Sequence, residues 1–278
     1  MPSPYLIKGQ GFQPGYVRIA APGQTALRWI TIGHLGLLEH SQYEHATGAQ
    51  EQVITVLSGA VSLAMDGAPA RTVGQRADLF SGGPTYLCLP PETSYRLTAL
   101  TSTADLLLLE TPADPGAGVH IVSPDDAPAR VVGAGNWARN VWPGTAALPV
   151  SRRLLVGETV NPPGNWSSYP PHKHDVDDPP REALYEEVYF FAIKPAGGFG
   201  IQRLYERRQA EDALDETFAV EDGDTVIIPR GYHPVVAAPG YQLGYVWTLC
   251  GHGRTYGAWS DDPAHAWLRA VEPILASR

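Results

Sequence analysis

The chain has 278 residues, of which 44% are hydrophobic and 18% charged, and this balance is typical of a globular protein with a sizeable core. Its formal net charge of −9 disfavours nucleic acid and anionic membranes as partners, so an anionic substrate would need a local cationic pocket. Two cysteines, Cys88 and Cys250, exclude a disulfide framework and a cysteine-ligated zinc site. We expect a cytoplasmic protein, because the N-terminal residues MPSPYLIKGQG lack the pattern of a signal peptide and no apolar run approaches ~18 residues.

The whole chain contains 29 Gly and 26 Pro, a composition that favours turns. The sequence of the first half predicts short β-strands separated by such turns. The run QVITVLSGAVSLAMDG predicts a strand, a turn at Ser58-Gly59 and a second strand. TYLCLPPETSYRLTA predicts two strands around a Pro-Pro turn, and the continuous apolar run in DLLLLETP predicts a buried strand. Residues 112–144 are rich in Pro, Gly and Asp, and we interpret them as a linker or long excursion between two halves.

The second half repeats this plan and ends in a helix. RRLLVGETV, EEVYFFAI, GFGIQRLYE and YQLGYVWTLCG predict strands, and the tail predicts a helix with Asp262 as N-cap and Pro263 at its first position. LCLPPETSYRLTA and VIIPRGYHPVVAA share one pattern, with Tyr95 in the first where His233 stands in the second. Two like domains, only one with metal ligands, would produce this pattern; the alternative is chance similarity between turn segments.

Two histidines separated by one residue, His172 and His174, indicate a metal site. On a strand their side chains share one face, and two neighbouring imidazoles can bind one divalent cation. A third imidazole, His233, follows a turn that Pro229 and Gly231 enforce. The alternative is a surface cluster of histidines with no ligand.

The same site needs a carboxylate, and Glu186 or Glu187 can supply it. The two residues open one apolar strand and point to opposite faces, so periodicity does not choose between them. Three His and one Glu fit Zn²⁺, which we prefer, and also Mn²⁺, Fe²⁺, Co²⁺ or Ni²⁺. Such a ligand set can leave coordination positions open for catalysis.

Polar residues on later strands are candidates for substrate contacts. Gln202, Arg203 and Tyr205 lie in GFGIQRLY, and Tyr245 lies in LGYVW. Arg203 could bind a carboxylate through two parallel hydrogen bonds. The alternatives are a surface charge for Arg203 and packing roles for the two tyrosines.

Five motifs, PPGNWSSYPPHKHD, EEVYFF, GFGIQRLY, GDTVIIPRGYHPVVAAPGY and DDPAHAW, occur in this order. In this the chain resembles the 5-deoxy-glucuronate isomerase family of bacterial inositol catabolism, which is related to the 4-deoxy-L-threo-5-hexosulose-uronate ketol-isomerases of pectin breakdown. The resemblance is dense from about residue 153 and thinner before it. It implies an all-β bicupin of two jelly-roll (β-sandwich or barrel) domains with a short C-terminal helix. Residues 1–125 would lack a complete metal site, and residues 126–278 would carry it.

The resemblance also implies which residues bind the metal: His172, His174 and His233 supply imidazoles, and Glu187, directly before Val-Tyr, supplies the carboxylate. The chain departs from the usual cupin pattern through an insert before the Glu and a Pro-to-His spacing that is one residue shorter. A further departure is Trp247, near which the family often has Asn; this concerns the shape of the pocket.

The implied reaction converts 5-deoxy-D-glucuronate to 5-dehydro-2-deoxy-D-gluconate, a small anionic sugar acid being the partner. A metal at the carbonyl and the adjacent hydroxyl acidifies the C–H between them and stabilises an enediolate. Tyr205, Tyr245 or a metal-bound water could move the proton, and a metal-assisted hydride shift is the alternative. Arg203 or Lys173 would hold the carboxylate of the substrate, together with Gln202.

Other functions stay open at this point. The pectin-pathway isomerase is the nearest, a metal-dependent cupin dioxygenase would use the same ligands with Fe²⁺, and a sugar-binding cupin would need no reaction. The sequence shows no helix-turn-helix pattern and no basic stripe, so we do not expect a DNA-binding protein. The apolar content allows a homo-oligomer without specifying one.

Overall fold

A computed structural model describes residues 3–116 and 118–276, which form strands, two short 3-10 helices (Gly135–Trp137 and Gly144–Ala147) and one α-helix. The strands of the first half are β1 Leu6–Ile7, β2 Gly15–Ala20, β3 Thr31–Leu38, β4 Gln42–Ala46, β5 Gln50–Ala64, β6 Arg71–Arg76, β7 Tyr86–Leu89, β8 Ser94–Ala99, β9 Thr103–Pro112 and β10 His120–Val122. The second half contains β11 Arg130–Val132, β12 Arg139–Trp142, β13 Leu155–Asn161, β14 Trp166–Ser167, β15 His172–Lys173, β16 Tyr185–Lys194, β17 Gly200–Tyr205, β18 Asp215–Val220, β19 Thr225–Ile228, β20 Val235–Ala237, β21 Gln242–Gly251, β22 Ser260–Asp261 and the helix α1 Leu268–Ala276.

The strands form two antiparallel sandwiches, one from each half. Strands β2 to β10 make one nine-stranded sheet that folds over itself through the long β5. In the second half a seven-stranded sheet, in the order β1-β19-β16-β21-β13-β12-β11, faces a four-stranded sheet, β14-β20-β17-β18. The core between these two sheets includes Tyr189 and Leu249 from one side and Leu204 and Val235 from the other. The predicted all-β bicupin fold is confirmed. The predicted domain limits stay a prediction.

Strand β1 pairs with β19 of the second half, through Leu6 with Val226 and Ile7 with Thr225. The N-terminal strand therefore completes the far sheet rather than its own. A shared hydrophobic core lies where the two halves meet, and it includes Ile32 and Leu107 from the first half and Val188 and Val246 from the second. The halves are thus packed together over buried apolar surface, the dominant favourable term in folding.

The predicted turn at Ser58-Gly59 is wrong, because both runs belong to the single strand β5. The pairing register shifts at this point against both β9 and β6, which marks a bulge. Gly59 has φ +79, and a Cβ there would lie 2.4 Å from the carbonyl oxygen of Thr103. Gly lets the strand bend here and cross from one sheet of the sandwich to the other.

Two buried glutamates occupy matching places in the two halves. Glu51 opens β5 and accepts hydrogen bonds from the main-chain N–H groups of residues 152, 153 and 154 at 2.6–2.7 Å. Glu186 opens β16 and accepts from those of residues 28, 29 and 30 at 2.7–2.8 Å. Each glutamate thus fixes a loop of the other half, and this reciprocity is what a duplicated domain produces.

The C-terminal helix begins later than Asp262 and Pro263 predict. Residues 263–267 form turns and α1 runs from Leu268 to Ala276. Asp262 still caps this turn, because its Oδ1 accepts the N–H of Ala264 at 3.0 Å. No helix in the described ranges has the length and apolar character needed to cross a membrane.

Candidate metal centre

The segment before β16 delivers two histidines to the open end of the second sandwich. Strand β15 pairs with β22, with His172 opposite Asp261 and Lys173 opposite Ser260. Because side chains alternate along an extended chain, His172 and His174 point inward while Lys173 points outward. The ring centroids of the two histidines are 6.4 Å apart.

A cluster of donor atoms forms where these residues meet β16 and the loop after β19. Nε2 of His174 lies 3.1 Å and Nε2 of His233 3.2 Å from Oε2 of Glu187. The donor atoms of these three buried residues all lie within 4.8 Å of one another, as a metal site requires. The ring of His172, which is half-buried, stands beside this group of three, 4.9 Å from the ring of His233.

Main-chain carbonyls fix the tautomer of all three imidazoles. Nδ1 of His233 lies 3.0 Å from the carbonyl oxygen of Gly231, Nδ1 of His174 3.2 Å from that of Tyr185, and Nδ1 of His172 3.4 Å from that of Pro170. A carbonyl oxygen only accepts, so each Nδ1 carries the proton and each Nε2 presents a lone pair to the cluster. Metal-binding histidines are oriented in this way.

The electrostatics favour the neutral form of two of the three imidazoles. Burial lowers the pKa of His233 to about 4, and burial followed by the charges of His233 and His174 lowers the pKa of His172 well below its ordinary value. Burial opposes the charged form of His174 too, but its hydrogen bond to Glu187 and the charge of that carboxylate outweigh it and raise the pKa. A divalent cation would compete with this proton.

Nε2 of His233 is the atom that most directly indicates a cation. It is buried and makes no hydrogen bond, although Oε2 of Glu187 is only 3.2 Å away. Two acceptors in such close contact need a positive centre between them. Nε2 of His174, Nε2 of His233 and the Glu187 carboxylate therefore fit a divalent transition metal such as Zn²⁺, with the His172 ring beside them.

The two adjacent glutamates have separate roles, as their opposite faces require. Glu187 lies in the cluster, whereas Glu186 is bound to the main-chain N–H groups of residues 28–30 on the other face of the sheet. The geometry therefore resolves the choice that the alternation of faces leaves open.

Of the predicted substrate and catalytic residues, Gln202 and Tyr245 lie in the interior beside the cluster. Gln202 is fully buried, with Nε2 3.5 Å from the carbonyl oxygen of His233 and with Oε1 making no hydrogen bond. The Tyr245 hydroxyl donates to Oγ of Ser167 at 2.9 Å, and its ring stands 4.3 Å from that of Tyr189. Gln202 thus contacts the main chain of His233, whereas Tyr245 is joined to the cluster through the ring of Tyr189.

Three other predicted residues point away from the cluster. Lys173 pairs with Asp175 at 2.5 Å and Glu182 at 2.8 Å on the outward face. Arg203 and Tyr205 lie on the outward side of β17. The Arg203 side chain is 46% exposed and pairs with Asp215 at 2.7 Å. The Tyr205 hydroxyl donates to Oδ2 of Asp262 at 2.5 Å. Their roles in binding or catalysis stay predictions without a contact to the cluster.

Tyr189 is a residue beside the cluster that sequence reasoning missed. Its ring centroid lies 5.9 Å from that of His233, and its hydroxyl shares a 2.7 Å hydrogen bond with Oγ of Ser168. The signal was present, because Tyr189 shares a strand face with Glu187. Trp259, whose ring centroid stands 5.2 Å from that of His172, forms the outer wall.

The double sandwich and its inward-facing His/Glu cluster define a protein of the cupin class, with a candidate metal centre in the second half. A model of the KduI/IolB family matches residues 5–268, and the chain belongs to that family.

Named relatives agree with this assignment. The 5-deoxy-glucuronate isomerase of Geobacillus thermodenitrificans is 36% identical over 273 residues, which cover 96% of this chain and 95% of the relative. The crystal structure of an IolB-like protein from Salmonella typhimurium superposes with a TM-score of 0.87 at 26% identity, over 95% of this chain and 99% of the other. Oxalate decarboxylase from Lactobacillus farciminis (TM-score 0.62, 13% identity, 90% and 87% covered) shares the fold. The predicted family and the predicted isomerase class are confirmed.

Proposed function

We propose that this protein is a metal-assisted aldose–ketose isomerase that converts 5-deoxy-D-glucuronate to 5-dehydro-2-deoxy-D-gluconate in inositol catabolism. The observation that carries the proposal is the cluster of His172, His174, His233 and Glu187, with Nε2 of His233 buried and unpaired. The name of the Geobacillus relative supplies the substrate. We further propose Zn²⁺ as the cation and a cytoplasmic location.

The bound metal would polarise the sugar's carbonyl and adjacent hydroxyl, which makes the C–H between them more acidic. The protein's own residues would orient the sugar around it. Oε1 of Gln202, buried and without a hydrogen bond, can accept from a sugar hydroxyl. Holding the hydroxyls in a fixed geometry lowers the entropic part of the barrier.

Tyr245 is the better of the two predicted tyrosines for a role in proton transfer. Burial is the largest cause that raises its pKa, so the hydroxyl stays protonated at neutral pH and acts as a donor. In this role it would exchange its hydrogen bond to Oγ of Ser167 for one to a sugar oxygen as charge develops there. Tyr205 is already bonded to the buried Asp262, on the same side of β17 as the exposed Arg203.

Arg203 and Lys173 are less suited to bind the substrate carboxylate, because each is already paired with carboxylates on an outward face. The substrate carboxylate therefore needs another cationic partner inside the sandwich. A small anionic sugar acid remains the proposed ligand, and no nucleic acid or membrane partner is proposed. A homo-oligomer is compatible with the proposal.

The test is a product analysis by ¹H NMR with Zn²⁺-loaded protein. We expect turnover of 5-deoxy-D-glucuronate and, with Tyr245→Phe, a fall in kcat of about 10²-fold or more with metal content unchanged. Preferential turnover of 4-deoxy-L-threo-5-hexosulose-uronate would instead favour the pectin-pathway activity. Oxygen consumption that accompanies turnover would favour a dioxygenase and overturn the proposal.

A further inference from the structure

We propose that Arg139 binds the carboxylate of the sugar acid and so determines the specificity of the site for uronates. This inference rests on the proposed function, because it assigns the part of the substrate farthest from the reacting carbonyl. Arg139 opens β12, in the segment that the sequence indicates to be a linker.

Strand register places Arg139 on the inner face of the second sandwich. Val141 of β12 pairs with Thr159 of β13, and Thr159 pairs with Tyr245 of β21. Val141, Tyr189 and Tyr245 all belong to the core between the two sheets. Because side chains alternate, Arg139, two residues before Val141, points to the same interior.

The guanidinium is buried but is not paired with an acid. Arg139 is 9% exposed, and within residues 3–116 and 118–276 no carboxylate oxygen lies within 4.0 Å of it. Its hydrogen bonds go to the main-chain carbonyls of Trp137 at 3.1 Å and of Val132 and Tyr169 at 3.4 Å. A buried cation without an anion is costly, and such groups are found where a ligand supplies the opposite charge.

The bonding pattern leaves one side of the guanidinium free for a carboxylate. All three hydrogen bonds use Nη1, so in the described part of the chain Nε and Nη2 carry no hydrogen bond. These two groups point in parallel and match the two oxygens of a carboxylate. Arg76 is a buried arginine that does have an acidic partner. Its guanidinium binds both oxygens of Glu158, at 2.6 and 2.7 Å.

The position relative to the cluster suits an open-chain sugar acid. Nη1 of Arg139 bonds the carbonyl of Tyr169, three residues before His172, so the same loop links the cation to the metal centre. The aldehyde and the carboxylate of the substrate lie at opposite ends of its carbon chain. In the proposed binding mode the aldehyde end contacts the metal and the carboxylate end contacts Arg139.

One acid of the C-terminal region, Glu272, acts on Arg139 from a distance, and its Oε2 is buried without a hydrogen bond. Glu272 on α1 lies 3.9 Å from Nη1 of Arg269, and Arg269 also binds Asp261 at 2.8 Å. Glu272 attracts Arg139, but it does not take up Nε or Nη2.

The test compares the affinity for D-glucuronate with that for its uncharged counterpart D-glucuronamide, by calorimetry on Zn²⁺-loaded protein. We expect Arg139→Gln to weaken glucuronate binding by at least about 30-fold, because an interior charge pair is lost, and glucuronamide binding by less than about threefold. Arg139→Lys should lie between, since a point charge lacks the fork geometry. The matched control is Arg254→Gln, a half-buried arginine that also donates to main-chain carbonyls, and it should leave the ratio unchanged.

Equal losses for both compounds, or none, would overturn the inference, as would a wild-type protein that binds the amide as tightly as the acid. Metal content and thermal midpoint check that each variant is folded and loaded; if Arg139→Gln does not fold, the ratio measured on Arg139→Lys decides. The ratio does not depend on turnover. A carboxylate preference that needs Arg139 in a protein that does not isomerise 5-deoxy-D-glucuronate would refute the proposed function alone. Isomerisation with an unchanged ratio would refute the role of Arg139 alone.

Discussion

The ion pair between Arg76 and Glu158 joins the two halves, and it makes a sharp prediction about stability. Nη1 and Nη2 of Arg76, on β6, bond the two carboxylate oxygens of Glu158, on β13, at 2.7 and 2.6 Å. Both side chains are buried, at 5% and 0% exposure. Thr55 also donates to the carboxylate at 3.2 Å. Truncating Arg76 therefore leaves a buried negative charge with one neutral donor.

We predict that Arg76→Met lowers the free energy of unfolding by about 3–5 kcal/mol, the usual cost of breaking a buried pair from one side. The double variant Arg76→Met/Glu158→Leu should recover most of this loss, because removing both charges removes the desolvation penalty. The matched control Arg96→Met breaks a pair with Glu44 whose side chains are 49% and 64% exposed, so it should cost less than about 1 kcal/mol.

Urea unfolding followed by tryptophan fluorescence measures these differences at constant metal concentration. The reasoning is refuted if Arg76→Met unfolds within about 1 kcal/mol of wild type, or if the double variant is less stable than the single one. Either result would mean that Glu158 reaches water or another cation when Arg76 is absent.

Three further predictions concern the buried polar groups. Glu186→Gln should destabilise the protein by about 2 kcal/mol or more, because one oxygen that accepts main-chain N–H groups becomes a donor; urea unfolding tests this, and an unchanged midpoint would contradict it. Tyr205→Phe leaves Asp262, which is fully buried, without one of its donors, and we expect a loss of about 1–3 kcal/mol with kcat nearly unchanged; a large fall in kcat at full metal content would return Tyr205 to catalysis. Burial raises the pKa of Cys88 to about 12 and that of Cys250 to about 11, so native protein at pH 8 should resist iodoacetamide and react at both thiols only in urea, whereas rapid native labelling would show an exposed thiol.

The sequence predicted the fold class well because strand and turn signals are local. Alternating or continuous apolar runs between Gly and Pro turns identify most of the strands of both halves. The failure at Ser58-Gly59 has a physical reason: the same Gly that permits a turn also permits a bulge, and only pairing with β9 and β6 decides between them.

Local patterns also predicted the histidines of the metal cluster. His172 and His174 lie two residues apart and so share one face of a strand, and His233 follows a turn that contains Pro229 and Gly231. Which glutamate joins them is a question of tertiary contact: Glu186 faces the loop at residues 28–30, far away in sequence.

Arg139 shows most clearly what local sequence patterns cannot predict. Its surroundings, rich in Gly and Pro, indicate a linker, and its burial depends on the sheet formed by β12, β13 and β21. Nothing local distinguishes it from a surface arginine such as Arg96. The absence of an acidic partner becomes visible only in three dimensions.

The most direct test of the central claim is metal analysis by ICP-MS on wild type and on His174→Ala, with isomerisation of 5-deoxy-D-glucuronate measured on the same samples. We predict about one divalent transition metal per chain in the wild type, and loss of both metal and turnover in the variant, because the variant removes one of the imidazole ligands. Arg254→Gln, which lies outside the cluster, should keep both. Turnover that persists in His174→Ala without bound metal would contradict the claim that the His/Glu cluster binds the metal on which isomerisation depends.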